Sequence, residues 1–246
     1  VAHAKVRLDQ RILELGLEET RSRAQARILA GDVRLGEHIL DKPGTLVPAD
    51  AQPVMRERPR FVSRGGEKLA GALDDFALDP RGWRCADVGA STGGFTDCLL
   101  QRGAAAVLAI DVGYGQLAAR LRDDPRVTVV ERTNIRYFAL APEVDPFDLV
   151  TADLSFISLR QVLPRLVRLL RPGGLLLLLV KPQFELGREE VGSGGVVRDP
   201  KKRMEAAQRV RRAAEDLGLN VLGEHESILA GPKGNRERFL LLGHPA

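Results

Sequence analysis

Cysteine is scarce: Cys85 and Cys98 are the only two among 246 residues, and each stands among apolar neighbours. Two isolated thiols exclude a disulfide-stapled scaffold and a cysteine-rich zinc site, and no metal is expected. They fit a reducing, cytoplasmic compartment. Long apolar runs are also missing. The longest, Ala104–Ile110 and Leu175–Val180, fall far short of the roughly 20 residues that a membrane-spanning helix requires. The expectation is a soluble protein without stable membrane insertion. Val1 to Gly16 alternates charged residues with Leu and Ile around no apolar signal core, which gives no sign of export. A large excess of one charge is absent as well, with 37 Lys and Arg against 33 Asp and Glu. Bulk charge alone therefore does not identify a polyanionic partner; its distribution has to.

The length allows one large domain and a small one. In the first stretch Leu8, Ile12 and Leu15 recur at helical spacing until Gly16 breaks the pattern. A second helix is expected with Ser22 as its N-cap, Ala26, Ile28, Leu29 and Ala30 on its buried side, and Gly31 as its stop. Short strands follow at Val33–Leu35, Ile39–Leu40 and Leu46–Val47, separated by Gly36 and Pro43-Gly44. The ordered run Arg7-Leu8-Asp9, Leu15-Gly16-Leu17, Ser22-Arg23, Ala26, Gly31-Asp32-Val33 and Lys42-Pro43-Gly44 resembles the small RNA-binding domain named after the fourth protein of the small ribosomal subunit. That resemblance implies RNA contacts from Arg7 and from Arg21, Arg23 and Arg27, whose spacing places guanidinium groups near one helix face. Residues 1–60 hold 11 basic and 9 acidic side chains, so the pattern carries this reading and the net charge does not.

The expected organisation is a small α+β RNA-binding domain over 1–55, a charged, Pro-interrupted linker over 56–62, and an α/β domain over 63–246. After a helix carrying Leu69, Leu73 and Phe76, strand candidates fall at Arg84–Val88, Ala106–Asp111, Val127–Glu131, Phe147–Ala152 and Leu175–Val180. Helical stretches near Phe95–Arg102, Gln116–Arg122 and Leu159–Leu170 alternate with them, the pattern of a doubly wound parallel sheet. A Gly-rich stretch, Gly187–Val197, then leads to a basic helix from Pro200 to Leu217 and to two last strands, Leu219–Ser227 and Arg238–Leu242. The short connection through Gly231-Pro232-Lys233-Gly234 favours an antiparallel hairpin. The expected fold is thus Rossmann-like: a mostly parallel seven-stranded sheet ending in an antiparallel hairpin, an architecture typical by analogy of methyltransferases.

The first of these strands runs into Asp87-Val88-Gly89-Ala90-Ser91-Thr92-Gly93-Gly94-Phe95, a glycine-rich turn that lets a ligand approach the backbone before a helix begins. Its G-x-x-x-G-G spacing differs from the dinucleotide fingerprint. Asp111 ends the next strand, where a carboxylate can accept from ribose hydroxyls, and Asn134 follows the third strand, within reach of an adenine edge. With acidic Asp87 beside the loop, the set suits S-adenosylmethionine, which is cationic and lacks a pyrophosphate.

What activates the methyl acceptor is decided at the end of the fourth strand, which reads Asp153-Leu154-Ser155-Phe156. The Pro-Pro-aromatic signature of amine methylation is absent there. Cys85 and Cys98 lie inside a strand and an apolar helix, positions that suit packing rather than nucleophilic attack on a pyrimidine. Ionisable residues recur instead at element ends: Lys68, Asp153, Lys181 and Glu237. In a doubly wound sheet the carboxyl ends of the strands face the crevice, so Asp153 and Lys181 are expected to converge, with Asp153 also beside the cofactor. This Lys-Asp-Lys-Glu set resembles the tetrad of the FtsJ-like ribose 2′-O-methyltransferases. Together with Ser63-Arg64-Gly65-Gly66-Glu67-Lys68-Leu69, Gly234-Asn235-Arg236-Glu237 and the N-terminal module, the whole chain resembles the TlyA family.

The resemblance implies methylation of ribosomal RNA, free or in a subunit, by Lys181 acting on a 2′-hydroxyl, with Lys68 as a second cation and Asp153 and Glu237 orienting the lysines. A non-catalytic RNA-binding factor is the alternative, and the family's other label, haemolysin, is a further one that the missing spanning segment disfavours. Residues 198–212 hold seven basic and two acidic side chains, Lys201, Lys202 and Arg203 among them, a second candidate for phosphate contact. The Gly192–Gly195 loop is a candidate lid.

Overall fold

Leu175–Val180 is apolar at every position, which a strand tolerates where both faces of its sheet are covered. A computed structural model, which describes residues 4–57 and 59–245 (for Arg188 the backbone only), shows this covering in the larger of two compact units, Val1–Pro59 and Arg60–Ala246. Val1–His3 of the expected first domain, Arg58 of the expected linker and Ala246 of the expected last domain lie outside the described residues.

The first unit comprises β1 (Lys5–Arg7), α1 (Leu8–Glu14), α2 (Arg21–Leu29), β2 (Val33–Leu35), β3 (His38–Ile39), β4 (Leu46–Pro48) and β5 (Val54–Met55). β1 pairs with β4, and β2 pairs with both β3 and β5, all antiparallel. Leu8 and Ile12 of α1 meet Ala24 and Ile28 of α2 over Val33, Val47 and Ala51 in one small core. The N-cap of α2 is Thr20, not Ser22. Thr20 has extended backbone and its hydroxyl accepts from the Arg23 amide at 3.3 Å, which leaves Ser22 inside the first turn. β1 and β5 were not expected from sequence, because two or three residues are too few to show an alternation.

The second unit runs α3 (Arg64–Asp75), β6 (Arg84–Val88), α4 (Gly94–Gln101), β7 (Ala106–Ile110), α5 (Ala119–Arg122), β8 (Val127–Val130), β9 (Phe147–Ala152), α6 (Leu159–Val167), β10 (Leu170–Val180), α7 (Pro182–Glu185), α8 (Pro200–Glu215), β11 (Asn220–Glu226) and β12 (Arg238–Gly243). Its seven strands lie in the order β11-β12-β10-β9-β6-β7-β8. β6 to β10 are parallel, and β12 is antiparallel to both β10 and β11. This is the mostly parallel seven-stranded sheet with an antiparallel end that the sequence led us to expect. α6 ends at Val167 rather than Leu170, because Leu170 already pairs with Phe147 and starts β10 ahead of a register shift.

Alternation along the strands builds two cores. Ala86, Val88, Val150, Ala152, Leu176, Leu178 and Val180 face α6 and α8, whereas Cys85, Val107, Ala109, Leu149, Leu177 and Leu179 face α3 and α4. Phe61, within the expected linker, is buried in the second of these cores. Among the described residues, no helix is long and apolar enough to cross a membrane.

The chain adds β7 and β8 on one side of β6, then returns to add β9 on the other. The reversal opens a crevice at the carboxyl ends of β6 and β9, where ligands of such sheets bind. Leu163, fully buried on α6, is one anchor of the layer under that crevice. We expect Leu163→Ala to destabilise the second unit by about 2–5 kcal/mol in urea unfolding, as lost transfer energy plus a cavity.

Candidate active site

The turn after β6 is shaped by what lies around it. Gly89 has φ +89°, and a Cβ there would collide with the Asp153 carbonyl oxygen at the end of β9. The Asp153 amide in turn donates to the Val88 carbonyl at 3.0 Å. Gly93, at φ +97°, lies so close to α5 that a Cβ would collide with Leu121. Thus two of the loop glycines are required by neighbouring chain. The loop is left with Ser91 and Thr92 exposed, Ala90 and Gly94 buried, and Phe95 in the core. Asp111 tightens it from β7: one carboxylate oxygen accepts from the Ser91 amide at 2.8 Å, the other from the Gly113 amide at 2.6 Å.

Two adjoining clefts meet at this turn. A cavity of about 460 Å³ is lined by Ser63, Arg64, Lys68, Gly89–Thr92, Gly94, Phe95, Asp153, Lys181 and Pro232. A wider one, of about 1080 Å³, shares Gly89, Ser91 and Asp153 with it and extends past Asp111, Asn134, Ser155, Phe156 and Phe184. Such volumes hold a nucleoside-sized ligand. Asn134 lines the wider cleft, while its side-chain oxygen accepts from the Arg136 amide at 3.0 Å and stabilises a turn.

Asp87 stands apart from both clefts. It is fully buried, accepting from the Thr96 amide at 2.9 Å, the Thr96 hydroxyl at 2.7 Å and the Thr151 hydroxyl at 3.4 Å. Its expected place beside the cofactor's cationic group is therefore corrected: the side chain braces α4 against the sheet beneath the loop. Removal from water pushes its pKa up to about 7, against the pull of the Thr96 hydrogen bond and with the help of the nearby Asp153 charge.

The four ionisable residues form two pairs. Lys68 of α3 contacts Glu237 at 2.5 Å, and Lys181 contacts Asp153 at 2.5 Å. Register explains the convergence: Val180 of β10 lies opposite Arg238 of β12, which sets Lys181 and Glu237 beyond the same sheet edge. Glu237 is 1% exposed, and its second oxygen lies where a Cβ on Gly231 would meet it at 2.5 Å. Lys181 also donates to the Ser155 hydroxyl at 3.1 Å. Sequence reasoning did not single out Ser155, nor Phe156 as an exposed platform; a serine and an aromatic after a strand carry no signal of their own. Phe156 is 92% exposed at φ +64° and lies 5.3 Å from the Phe184 ring. Burial pushes the Cys85 and Cys98 thiols up to about 12, so neither is poised as a nucleophile.

The basic candidates are placed unequally. In the first unit, fully buried Asp9 accepts from Arg7 at 3.0 Å, Arg21 at 3.1 Å and Gln25 at 2.8 Å, which holds both guanidinium groups at the surface. Arg23 is exposed and pairs with Glu19. Arg27 is corrected: it is only 8% exposed, pairs with Asp32 at 2.8 Å and Glu18 at 3.7 Å, and donates to the Arg56 carbonyl, so it braces the core instead of facing outward. On α8, Lys201 is exposed, Arg203 is half-buried, and Lys202 donates to the Glu190 carbonyl at 3.1 Å. The Gly192–Gly195 loop is tied down by buried Asn235, which donates to the Gly195 carbonyl and accepts from the Val197 amide.

The buried carboxyl makes a testable statement about stability. Because the folded-state pKa of Asp87 is raised, its contribution is full below pH 4 and is lost as pH rises through about 7. Asp87→Asn, which does not titrate, should gain stability relative to the parent between pH 4 and 7 by up to about 1.4 kcal/mol per pH unit, then level off. Parallel melting-temperature curves for the two proteins would contradict this.

Comparison with known proteins agrees with this geometry. Residues 61–244 match the FtsJ-like methyltransferase family and residues 6–52 the S4 domain. The chain is 50% identical over 242 residues to the 16S/23S rRNA (cytidine-2′-O)-methyltransferase TlyA of Mycobacterium tuberculosis, covering 97% of this chain and 90% of that protein. It is 46% identical over 243 residues to YqxC of Bacillus subtilis, with 98% of this chain and 86% of that protein covered. A solved structure from Streptococcus thermophilus, named as a hemolysin, superposes with a TM-score of 0.74 at 40% identity, over 99% of this chain and 90% of that one. The chain belongs to the FtsJ-like methyltransferases, within their TlyA family.

Proposed function

We propose that this protein transfers a methyl group from S-adenosylmethionine to a ribose 2′-hydroxyl of ribosomal RNA, and that the acceptor is a cytidine, as the name of its Mycobacterium tuberculosis relative states for that protein. The observation that carries the reading is the Lys181–Asp153 pair at the mouth of the glycine-loop cleft, with the Lys68–Glu237 pair beside it.

The residues around the loop fit the cofactor. Asp111 and Asn134 suit a ribose and an adenine edge in the wider cleft, and Asp153 offers a carboxylate to a cationic centre at the junction of the two. Gly89–Gly93 bring backbone close to the ligand. When bound, S-adenosylmethionine supplies a methyl group on a positively charged sulfur. A 2′-hydroxyl is a weak nucleophile near neutral pH, so the protein must take or polarise its proton as it attacks. Lys181 holds the position for this role. In its neutral form the amine accepts the proton; in its charged form it stabilises the developing alkoxide. Asp153 orients the amine, and Lys68, fixed by buried Glu237, supplies a second positive charge. Exposed Phe156 offers a stacking face to the base of the target nucleotide, the sort of contact by which single-stranded RNA is held. Arg7, Arg21 and Arg23, with Lys201, Lys202 and Arg203, would meet RNA phosphates.

Incubation with isotopically labelled S-adenosylmethionine and purified ribosomal subunits should place label on a ribose, detected as a linkage resistant to alkali and mapped by mass spectrometry. Lys181→Ala should retain cofactor binding and lose about 10²–10⁴ in kcat. Normal turnover by that variant would remove Lys181 from the mechanism, and cofactor binding without label on either subunit would favour a different acceptor. For the first unit, Arg21→Gln with Arg23→Gln should weaken RNA binding and make its dependence on salt shallower, by about one unit of log–log slope for each phosphate that is no longer neutralised.

A further inference from the structure

Lys181 Nζ has two oxygen partners, the Asp153 carboxylate at 2.5 Å and the Ser155 hydroxyl at 3.1 Å. A neutral amine carries two N–H bonds and one lone pair in a tetrahedral arrangement. We propose that Ser155 is a positioning residue for methyl transfer. Its hydroxyl accepts the one hydrogen bond that Lys181 donates, the negative Asp153 carboxylate 2.5 Å away turns the lone pair of the neutral amine from itself, and the lone pair is left toward the cleft that Lys181 lines. Asp153 alone would leave the amine able to turn about its Cε–Nζ bond, and the lone pair would point along the reaction path only part of the time.

The surrounding chain holds the hydroxyl where this requires it. Ser155 lies in the turn after β9, and the next residue, Phe156, has left-handed backbone and packs on Phe184 of α7. Glu185 of α7 accepts from the Ser158 hydroxyl at 2.5 Å and the Leu159 amide at 2.7 Å. The turn that bears Ser155 is thus bound to the segment that directly follows Lys181, so the two side chains keep their separation. Ser155 itself is exposed, and Lys181 is the partner its hydroxyl has among the described residues.

This inference rests on the methyltransferase reading. In the step it serves, the O2′–H proton passes to the Lys181 lone pair as the O2′–CH₃ bond forms and the CH₃–S bond breaks, its electron pair leaving with sulfur. The proton on Lys181 then returns to solvent. In the charged state of Lys181, the third N–H occupies the same free direction.

The test measures kcat and KM for the parent, Ser155→Ala, Ser155→Thr and Lys181→Ala on the ribosomal subunit that the parent labels, with cofactor affinity measured separately. Ser155→Ala should lower kcat by about 10–100-fold while KM for the subunit and cofactor Kd stay within about twofold. Ser155→Thr, which keeps the hydroxyl, should restore most of the rate. An unchanged kcat in Ser155→Ala, or a raised KM with kcat intact, overturns the proposal, the second result making Ser155 an RNA contact. Failure of threonine to rescue also counts against it. A parent protein that binds cofactor yet labels neither subunit overturns the ribosomal-RNA acceptor on which this proposal rests, and the proposal with it, an outcome distinct from an active parent whose alanine variant is equally active.

Discussion

The close approach of Gly89 to the Asp153 carbonyl oxygen joins the ligand loop of β6 to the end of β9. A side chain at Gly89 would wedge the two apart, and Asp153 would lose the place from which it reaches Lys181. The contact lies at the point where the order of strands reverses, between β6 and β9, where the carboxyl ends of neighbouring strands part. The glycine loop after β6 and the end of β9 are therefore one structural feature. Asp111 strengthens it from β7 by holding the Ser91 amide, and Asp87 does so from below through Thr96.

The two lysine–carboxylate pairs play different physical parts. Lys68 and Glu237 are both buried, so each charge depends on the other; a buried pair contributes little net stability but is costly to break, about 3–5 kcal/mol when one partner is removed. Such a pair is suited to carry a fixed charge in a fixed place. Lys181 and Asp153 sit nearer the solvent, where a proton can arrive and leave. The division matches the chemistry proposed: one cation held constant, one amine that exchanges a proton.

In the small unit a buried carboxylate again organises the cations around it. Asp9, without solvent contact, gathers Arg7, Arg21 and Gln25, and this holds its carboxyl well below the usual range, chiefly through Arg7. The two arginines are thereby ordered at the surface, as the phosphate contact proposed for them would require. Arg27, at helical spacing from Arg23, turns inward instead because Glu18 and Asp32 lie on that side.

Much was legible in the chain itself. Periodicity showed the alternating elements, the apolar run Leu175–Val180 of β10 showed a strand buried on both faces, and G-x-x-x-G-G after a strand showed a tight glycine turn. The Lys-Asp-Lys-Glu set was visible through its resemblance to the FtsJ-like tetrad and because Asp153, Lys181 and Glu237 stand at strand ends, whereas Lys68 lies within α3. What only the tertiary structure decided concerns neighbours remote in sequence: Asp87 turned under the loop to Thr96 and Thr151, Arg27 was drawn inward, Ser155 was brought to Lys181, and Phe156 was left in the open. The reason is physical. Local pattern reports the face on which a side chain lies, an outcome of backbone period alone, whereas a hydrogen-bond partner is settled by how distant segments pack and which polar atoms that packing removes from water.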